Sequence, residues 1–209
     1  MKRTLLKDIF SNPEAFSGKT VRISGWAKTI RDSKSFGFIE LSDGTNFKNC
    51  QVVVSTEKLY NYDEFVKQNV GAAFEVTGTL LLTPENRQPF EISADKVVVL
   101  GTSTPDYPLQ KKRHSMEFLR EIAHLRPRTN TFNAVFRIRS EAAFAIHSFF
   151  NERGFVYVHT PIITGSDCEG AGAMFQVTTL DLKNVPKDKD GNVDYKKDFF
   201  GKPASLTVS

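Results

Sequence analysis

Cysteine is scarce in this chain. Its 209 residues hold two, Cys50 and Cys168, far apart and without metal-ligand spacing around either. The four histidines are scattered in the same way, which argues against a zinc site. No apolar run approaches the length of a membrane span. The opening Met1-Lys-Arg-Thr-Leu-Leu-Lys-Asp8 has too little apolar length for a secretory signal peptide. There is no internal repeat and no low-complexity tract. Together these absences lead to the expectation of a soluble protein in a reducing compartment, with no metal site of its own.

What is present is a globular composition. Apolar residues make up 40% of the chain, enough for real cores, and phenylalanine is over-used at 18 copies. The length has room for about one or two domains. A net charge of +4 and a pI near 9.0 fit a polyanionic partner without requiring one.

After a short approach segment with a turn at Asn12-Pro13, period-two alternation begins. Val21, Ile23, Gly25 and Ala27 oppose Arg22, Ser24, Trp26 and Lys28 in a strand running to Arg31. Further strands are read at 35–41, about 49–55, 72–82 and 90–100. Between the third and fourth, Leu59, Tyr62, Phe65 and Val66 recur at helical spacing. Three strands, a helix and two strands in about a hundred residues is the order of a five-stranded OB-fold barrel, a binder of single-stranded nucleic acid. A small barrel with no ligand has the same order.

The faces say more. Ile39 and Leu41 share one side of the second strand, whereas Phe36, Phe38 and Glu40 share the other. A charge on the aromatic side marks that side as the outside. Val52 and Val54 oppose Gln51 and Val53, and Ile92 and Ala94 oppose Glu91, Ser93 and Asp95. The outer surface therefore carries an aromatic ring among amide, acid and basic groups. Stacking a base on such a ring contributes ~1–3 kcal/mol, and the polar groups can read the edges of unpaired bases. Strict alternation would turn Arg31 inward, so Arg31 can join this surface only if its strand ends or bulges first.

Residues 101–108 are rich in turn formers and lead to the basic Leu109-Gln-Lys-Lys-Arg-His114, the one clear domain boundary. This linker is either solvated or touches a nucleic-acid backbone through Lys111, Lys112 and Arg113. From Met116 the chain turns helical. A second helix, capped by Thr129, Asn130 or Thr131, runs to about Arg153 and stops at Gly154. Val135, Ile138, Ala142, Ala145 and Phe149 form one stripe, and Phe132, Phe136, Phe144 and Ile146 add apolar surface elsewhere. Such a helix has to bury more than one face, in a domain core or against a second subunit. Phe155 to Val158 read as a short strand closed by Pro161. Glu169 follows in a loop with Gly165, Gly170, Ala171 and Gly172, where backbone can approach a small ligand and an acid can hold an α-ammonium group. An exposed loop acid is the other reading. Residues 183–203 are highly charged and expected to project as an excursion before a strand at 204–209.

The order of helix, short strand ending at Pro161 and small-residue acidic loop resembles the first signature motif of the class II aminoacyl-tRNA synthetases. Ser166-Asp-Cys-Glu-Gly-Ala-Gly172 followed by Met174-Phe-Gln-Val-Thr-Thr-Leu-Asp181 is similar to their asparagine-specific branch. An aspartyl-type member typically reads Pro-Glu-Gly-Ala-Arg where Cys168-Glu-Gly-Ala-Gly172 stands. Upstream, Gly25-Trp26, Arg31-Asp32, Phe38-Ile39-Glu40 and Gln51-Val52 resemble the anticodon-binding barrel of the aspartate, asparagine and lysine subgroup.

The resemblance implies an α+β chain. An OB-fold anticodon-binding domain would occupy 1–101, a hinge 102–115, and the start of a class II catalytic domain, an antiparallel sheet with helices, 116–209. It implies that Phe38 stacks on the middle anticodon base, which Gln51 hydrogen-bonds. Arg31 would contact that base or its neighbour, and Glu91 would read the first position. Glu169 would bind the amino group of the amino-acid substrate, with Ser166 and Thr179 beside the pocket. The long helix and the strand after it would form a homodimer interface through Val135, Ile138, Ala142, Phe149 and Pro161. The implied reaction is ATP-dependent ligation of L-asparagine to the 3′ end of its tRNA through asparaginyl-adenylate, with Mg²⁺, in a cytoplasmic homodimer that uses no membrane.

Two further signatures of the class do not occur: there is no Phe-Arg-x-Glu and no Gly-x-Gly-x-x-x-Glu-Arg. The expectation is that these residues are part of a longer protein, carry no catalytic residue themselves, bind tRNA weakly and form no adenylate alone. An aspartyl-type and possibly non-discriminating synthetase, a stand-alone OB tRNA-binding module, and a paralogue that has lost aminoacylation remain open on the residues alone.

Overall fold

Alternation of small β-branched residues with polar ones builds the first part of the chain into five strands. These are β1 (Thr20–Ser33), β2 (Phe36–Ser42), β3 (Cys50–Ser55), β4 (Ala73–Leu82) and β5 (Phe90–Gly101). They close into a barrel in the order β1-β2-β3-β5-β4, because the long β1 pairs with β2 at one end and β4 at the other. Only β3 and β5 run parallel. The structure is a computed structural model and describes residues 1–207 except 87, 168, 169, 171 and 172.

The inward residues are those that alternation selects: Ile23, Ile39, Val52, Val76 and Ile92 are fully buried. Two short helices add to this core. α1 (Leu6–Ser11) contributes Leu6 and Ile9, and α2 (Tyr62–Val66) contributes Phe65, whose ring meets Phe74 edge-on at 6.2 Å. Gly37 is required by that packing, since a Cβ there would collide with the Phe65 ring. α1 has no side-chain cap from Leu5. Instead the Leu6 N–H donates to the Asp43 carboxylate at 2.8 Å, and the same carboxylate accepts from the Thr45 N–H at 2.9 Å and its hydroxyl at 2.7 Å. One buried acid thus caps the helix and shapes the β2–β3 loop.

Chain contacts divide the molecule into two units, Met1–Phe144 and Ala145–Ser209, and the division falls inside a long helix. The first unit also contains α3 (Met116–Glu121), capped by the Ser115 hydroxyl, and the first part of α4 (Asn130–Asn151), where the Thr129 hydroxyl accepts from the Phe132 N–H. No residue of α4 is buried. It ends where Gly154 adopts a φ of 82°, a conformation only glycine takes without strain.

In the second unit β6 (Ile163–Thr164), β7 (Gln176–Val177) and β8 (Ala204–Leu206) form a small antiparallel sheet in the order β6-β8-β7. The strand expected at 155–158 is not formed. Phe155 to Val158 are between 60% and 83% exposed and pair with no other strand among the described residues. Their β propensity is genuine, but propensity makes a strand only where a ladder partner exists. The charged excursion after Lys183 folds back on itself through a Lys187–Val193 bridge and a turn at Gly191. It is then tied to the sheet by Asp198, which accepts from the Thr178 hydroxyl at 2.6 Å and from the Thr179 N–H and hydroxyl at 2.9 and 2.8 Å.

Candidate nucleic-acid interface

The pairing of β1 with β2 slips between Ala27 and Thr29, so Lys28 is a β-bulge. The extra residue reverses the phase of the strand. Ile23 and Ala27 face in before it, whereas after it Ile30 packs on the core and Thr29 and Arg31 face out. This is the departure from strict alternation that Arg31 needs. Arg31 pairs across the ladder with Phe38, and its guanidinium lies 5.5 Å from the Phe38 ring centroid.

Phe38, Gln51 and Glu91 reach the same surface from three strands. With Arg31 they line one cleft of about 640 Å³ on the outside of the barrel. Strand pitch alone explains the convergence: β2 and β3 pair Phe38 with Val53 and Glu40 with Gln51, while β5 runs alongside β3. Glu40 is held by the Asn49 amide at 2.8 Å and the Thr29 hydroxyl at 3.3 Å, leaving a fixed acceptor at the cleft wall. The Gln88 side chain accepts from the Gln51 backbone N–H at 3.0 Å and so anchors the β4–β5 loop over β3. The floor is aromatic, the walls are amide and acid, and a guanidinium stands beside the ring. Such a cleft can stack an unpaired base and read its edge.

Sequence reasoning missed Phe47, Asn49 and Gln88, which also line the cleft. They sit in the β2–β3 and β4–β5 loops, where no period assigns a face. The one available signal was the density of amides in Asn46-Phe-Lys-Asn49 and Asn86-Arg-Gln88.

A second, basic hollow of about 450 Å³ lies where the linker meets the barrel, lined by Lys28, Lys111, Lys112, His114 and Arg128. The Lys28 ammonium donates to the Arg128 carbonyl. Burial, and then the nearby Arg128 charge, hold its pKa below the ordinary lysine value, with Glu40 acting in the opposite direction. The Arg128 guanidinium stacks 4.5 Å from the Trp26 ring centroid and donates to the Tyr107 hydroxyl at 3.2 Å. Trp26 is thus engaged in packing against Arg128. Burial also pushes the Cys50 thiol up, which leaves it inert inside the barrel.

The other expected site residues fall in the second half of the chain. Glu169, with Cys168, lies outside the described residues. Ser166 follows β6, its N–H donating to the Thr164 hydroxyl at 3.2 Å. Thr179 follows β7, with its hydroxyl committed to Asp198. The segment joining them leaves β6 at Thr164 and enters β7 at Gln176, both opposite Ser205 of β8. On α4, Val135, Ile138 and Phe149 are 40%, 68% and 50% exposed, and Ala142 and Pro161 are exposed as well.

Comparison with known proteins agrees with this division of labour. The family model for an OB-fold nucleic acid binding domain matches residues 21–100. The model for tRNA synthetases class II (D, K and N) matches residues 115–186. The asparagine–tRNA ligase of Acetivibrio thermocellus is 60% identical over all 209 residues, and that of Clostridium novyi 61%. The chain spans 45% of the length of each of these relatives. Among solved structures, asparaginyl-tRNA synthetase from Pyrococcus horikoshii complexed with asparaginyl-adenylate superposes with a TM-score of 0.78 at 20% identity, over all of this chain and 43% of that one. The Entamoeba histolytica asparaginyl-tRNA synthetase gives 0.69 at 24% identity, over 92% of this chain and 41% of that one. An OB-fold match, a class II match after it in sequence and this level of identity across the whole length place the chain in the asparaginyl-tRNA synthetase family.

Proposed function

We propose that the protein to which these residues belong ligates L-asparagine to the 3′ end of its tRNA through asparaginyl-adenylate, and that this chain supplies the anticodon-reading part. The observation that carries the reading is the convergence of Arg31, Phe38, Gln51 and Glu91 on one outer cleft of the barrel. Phe38 stacks on the middle anticodon base, Gln51 hydrogen-bonds its edge, Arg31 contacts that base or its neighbour, and Glu91 reads the first position. The basic hollow around Lys111 and Lys112 attracts the RNA backbone, which positions the RNA without specifying sequence.

The domain division at 101 and 115 belongs to the same reading, as do Glu169 as partner of the substrate ammonium group and Ser166 and Thr179 as its neighbours. The chain works as a homodimer. What supports this is a 22-residue helix with no buried residue, on which Ile138, Phe144 and Ile146 are each at least 60% exposed. ATP supplies the activation energy, and family kinship is the support for that. Mg²⁺ would accompany ATP in the full-length protein, held by groups mostly outside these residues; among the described residues no three His, Cys, Asp or Glu side chains cluster to hold a metal ion.

Charging assays on the full-length protein test the proposal. Asparagine should be attached to its tRNA in preference to aspartate. Phe38→Ala should raise KM for tRNA roughly tenfold while leaving ATP–pyrophosphate exchange with asparagine unchanged. Absence of asparagine charging would refute the activity, and an unaltered KM in the Phe38 variant would remove the cleft from it.

A further inference from the structure

The β2–β3 loop, residues 43–49, is held by a residue from far along the chain. Arg137 on α4 donates to the carbonyl of Gly44 and, through Nε, to the Asn133 side chain at 2.8 Å, which fixes the guanidinium on its own helix. The same guanidinium lies 5.4 Å from the ring centroid of Phe47. Phe47 lines the cleft that contains Phe38, yet it remains 53% exposed. Exposure alone says little of a single phenylalanine; its place on the cleft and its cation do. Here it is braced by a cation and left open to the cleft. That repeats the arrangement of Arg31 beside Phe38.

We infer that Phe47 is a second base-stacking face of the cleft, receiving a nucleotide adjacent to the one on Phe38, and that Arg137 is its positioning residue. The inference rests on the proposed single-stranded RNA reading of the cleft and extends it in two ways. The cleft holds two stacked bases rather than one, and helix α4 takes part in RNA recognition through the loop it grips. Asp43 already shapes the start of this loop, and Arg137 contributes by bracing Phe47 farther along it, so that less ordering of that ring has to accompany binding. Phe47 supplies the sequence-tolerant stacking that every base accepts.

The test uses the full-length protein and a stem–loop RNA carrying the asparagine anticodon, with 2-aminopurine placed in turn at the middle anticodon position and at each neighbouring one. Wild-type protein should change the fluorescence at the middle position and at one neighbour. Phe38→Leu should abolish the response at the middle position. Phe47→Leu should abolish it at the neighbour alone and weaken binding roughly tenfold. Arg137→Met should reproduce the Phe47→Leu signature, and the double variant should be no weaker than Phe47→Leu. A purely structural role for Arg137 would alter melting without this position-specific loss. Loss with Phe38→Leu but not with Phe47→Leu overturns the second stacking face and leaves the first reading standing. Additive losses for Phe47 and Arg137 overturn the positioning role. No loss with Phe38→Leu overturns the cleft reading itself.

Discussion

Asp43→Ala should destabilise the barrel well beyond the effect of an average substitution. The carboxylate is 8% exposed and accepts three hydrogen bonds, one of them from the N–H of the fully buried Leu6. Removing it leaves that N–H buried without its acceptor, which costs about 1–3 kcal/mol. The Leu6 bond is also a cap of α1, beside the Thr45 hydroxyl, which accepts from the Lys7 N–H at 3.0 Å. The two Thr45 bonds are partly solvated and add less. The cost is about 1–3 kcal/mol, which for a chain of this size lowers the melting midpoint by roughly 2–12 °C. The single tryptophan, Trp26 on β1, makes its fluorescence a reporter of the barrel. Asp43→Asn should recover only part of the loss: an amide offers one acceptor oxygen where Leu6 and Thr45 use both carboxylate oxygens. Thr45→Val should cost less than either. If Asp43→Ala melted within a degree of the wild type, the assignment of this acid as the keystone of α1 and the β2–β3 loop would be wrong.

Two further outcomes are specific. Gly37→Ala should cost about 1–3 kcal/mol in denaturant unfolding, because the new methyl meets the fully buried Phe65 ring and the core has to be overpacked; an unchanged midpoint would show that Phe65 has room to yield. Asp198 is held below its ordinary pKa of 3.8 by hydrogen bonds, first from the Thr178 hydroxyl and then from the Thr179 N–H. A depressed acid contributes stability that is fully present above its unfolded pKa and lost as pH falls through the folded one. The Thr179 amide resonance should therefore titrate with a midpoint below 3.8, and a midpoint at or above that value would contradict the hydrogen-bond geometry.

The barrel was legible in the sequence because its strands obey one period and its polar face carries an unmistakable sign, Glu40 on the side of Phe38. The same alternation identified Gln51 and Glu91 on the outside. Arg31 was legible only conditionally, since nothing in Ala27-Lys28-Thr29 announces a bulge; the slip is a property of closing β1 onto two neighbours at once. Loop residues such as Phe47 and Gln88 had no period to place them. At 155–158 local propensity pointed to a strand, but strand pairing is a relation between two segments and cannot be read from one. The long helix was legible in its extent, its cap and its stop at Gly154, whereas what covers its apolar residues is not written in these residues.

The bulge at Lys28 makes β1 two strands in one, sharing a backbone but answering to different demands. Residues before it mesh with β4 and complete the wall of the barrel, while those after it turn the opposite side chains outward beside β2. Substitutions in the two halves should therefore register on different scales, the first in melting and the second in affinity for RNA. Deleting Lys28 would join the halves into one phase. Ala27, Thr29, Ile30 and Arg31 would then alternate in, out, in and out, so Ile30 keeps the core and Arg31 the cleft. An insertion beside Ile30, which does reverse the phase, would throw Ile30 to the solvent and turn Arg31 inward.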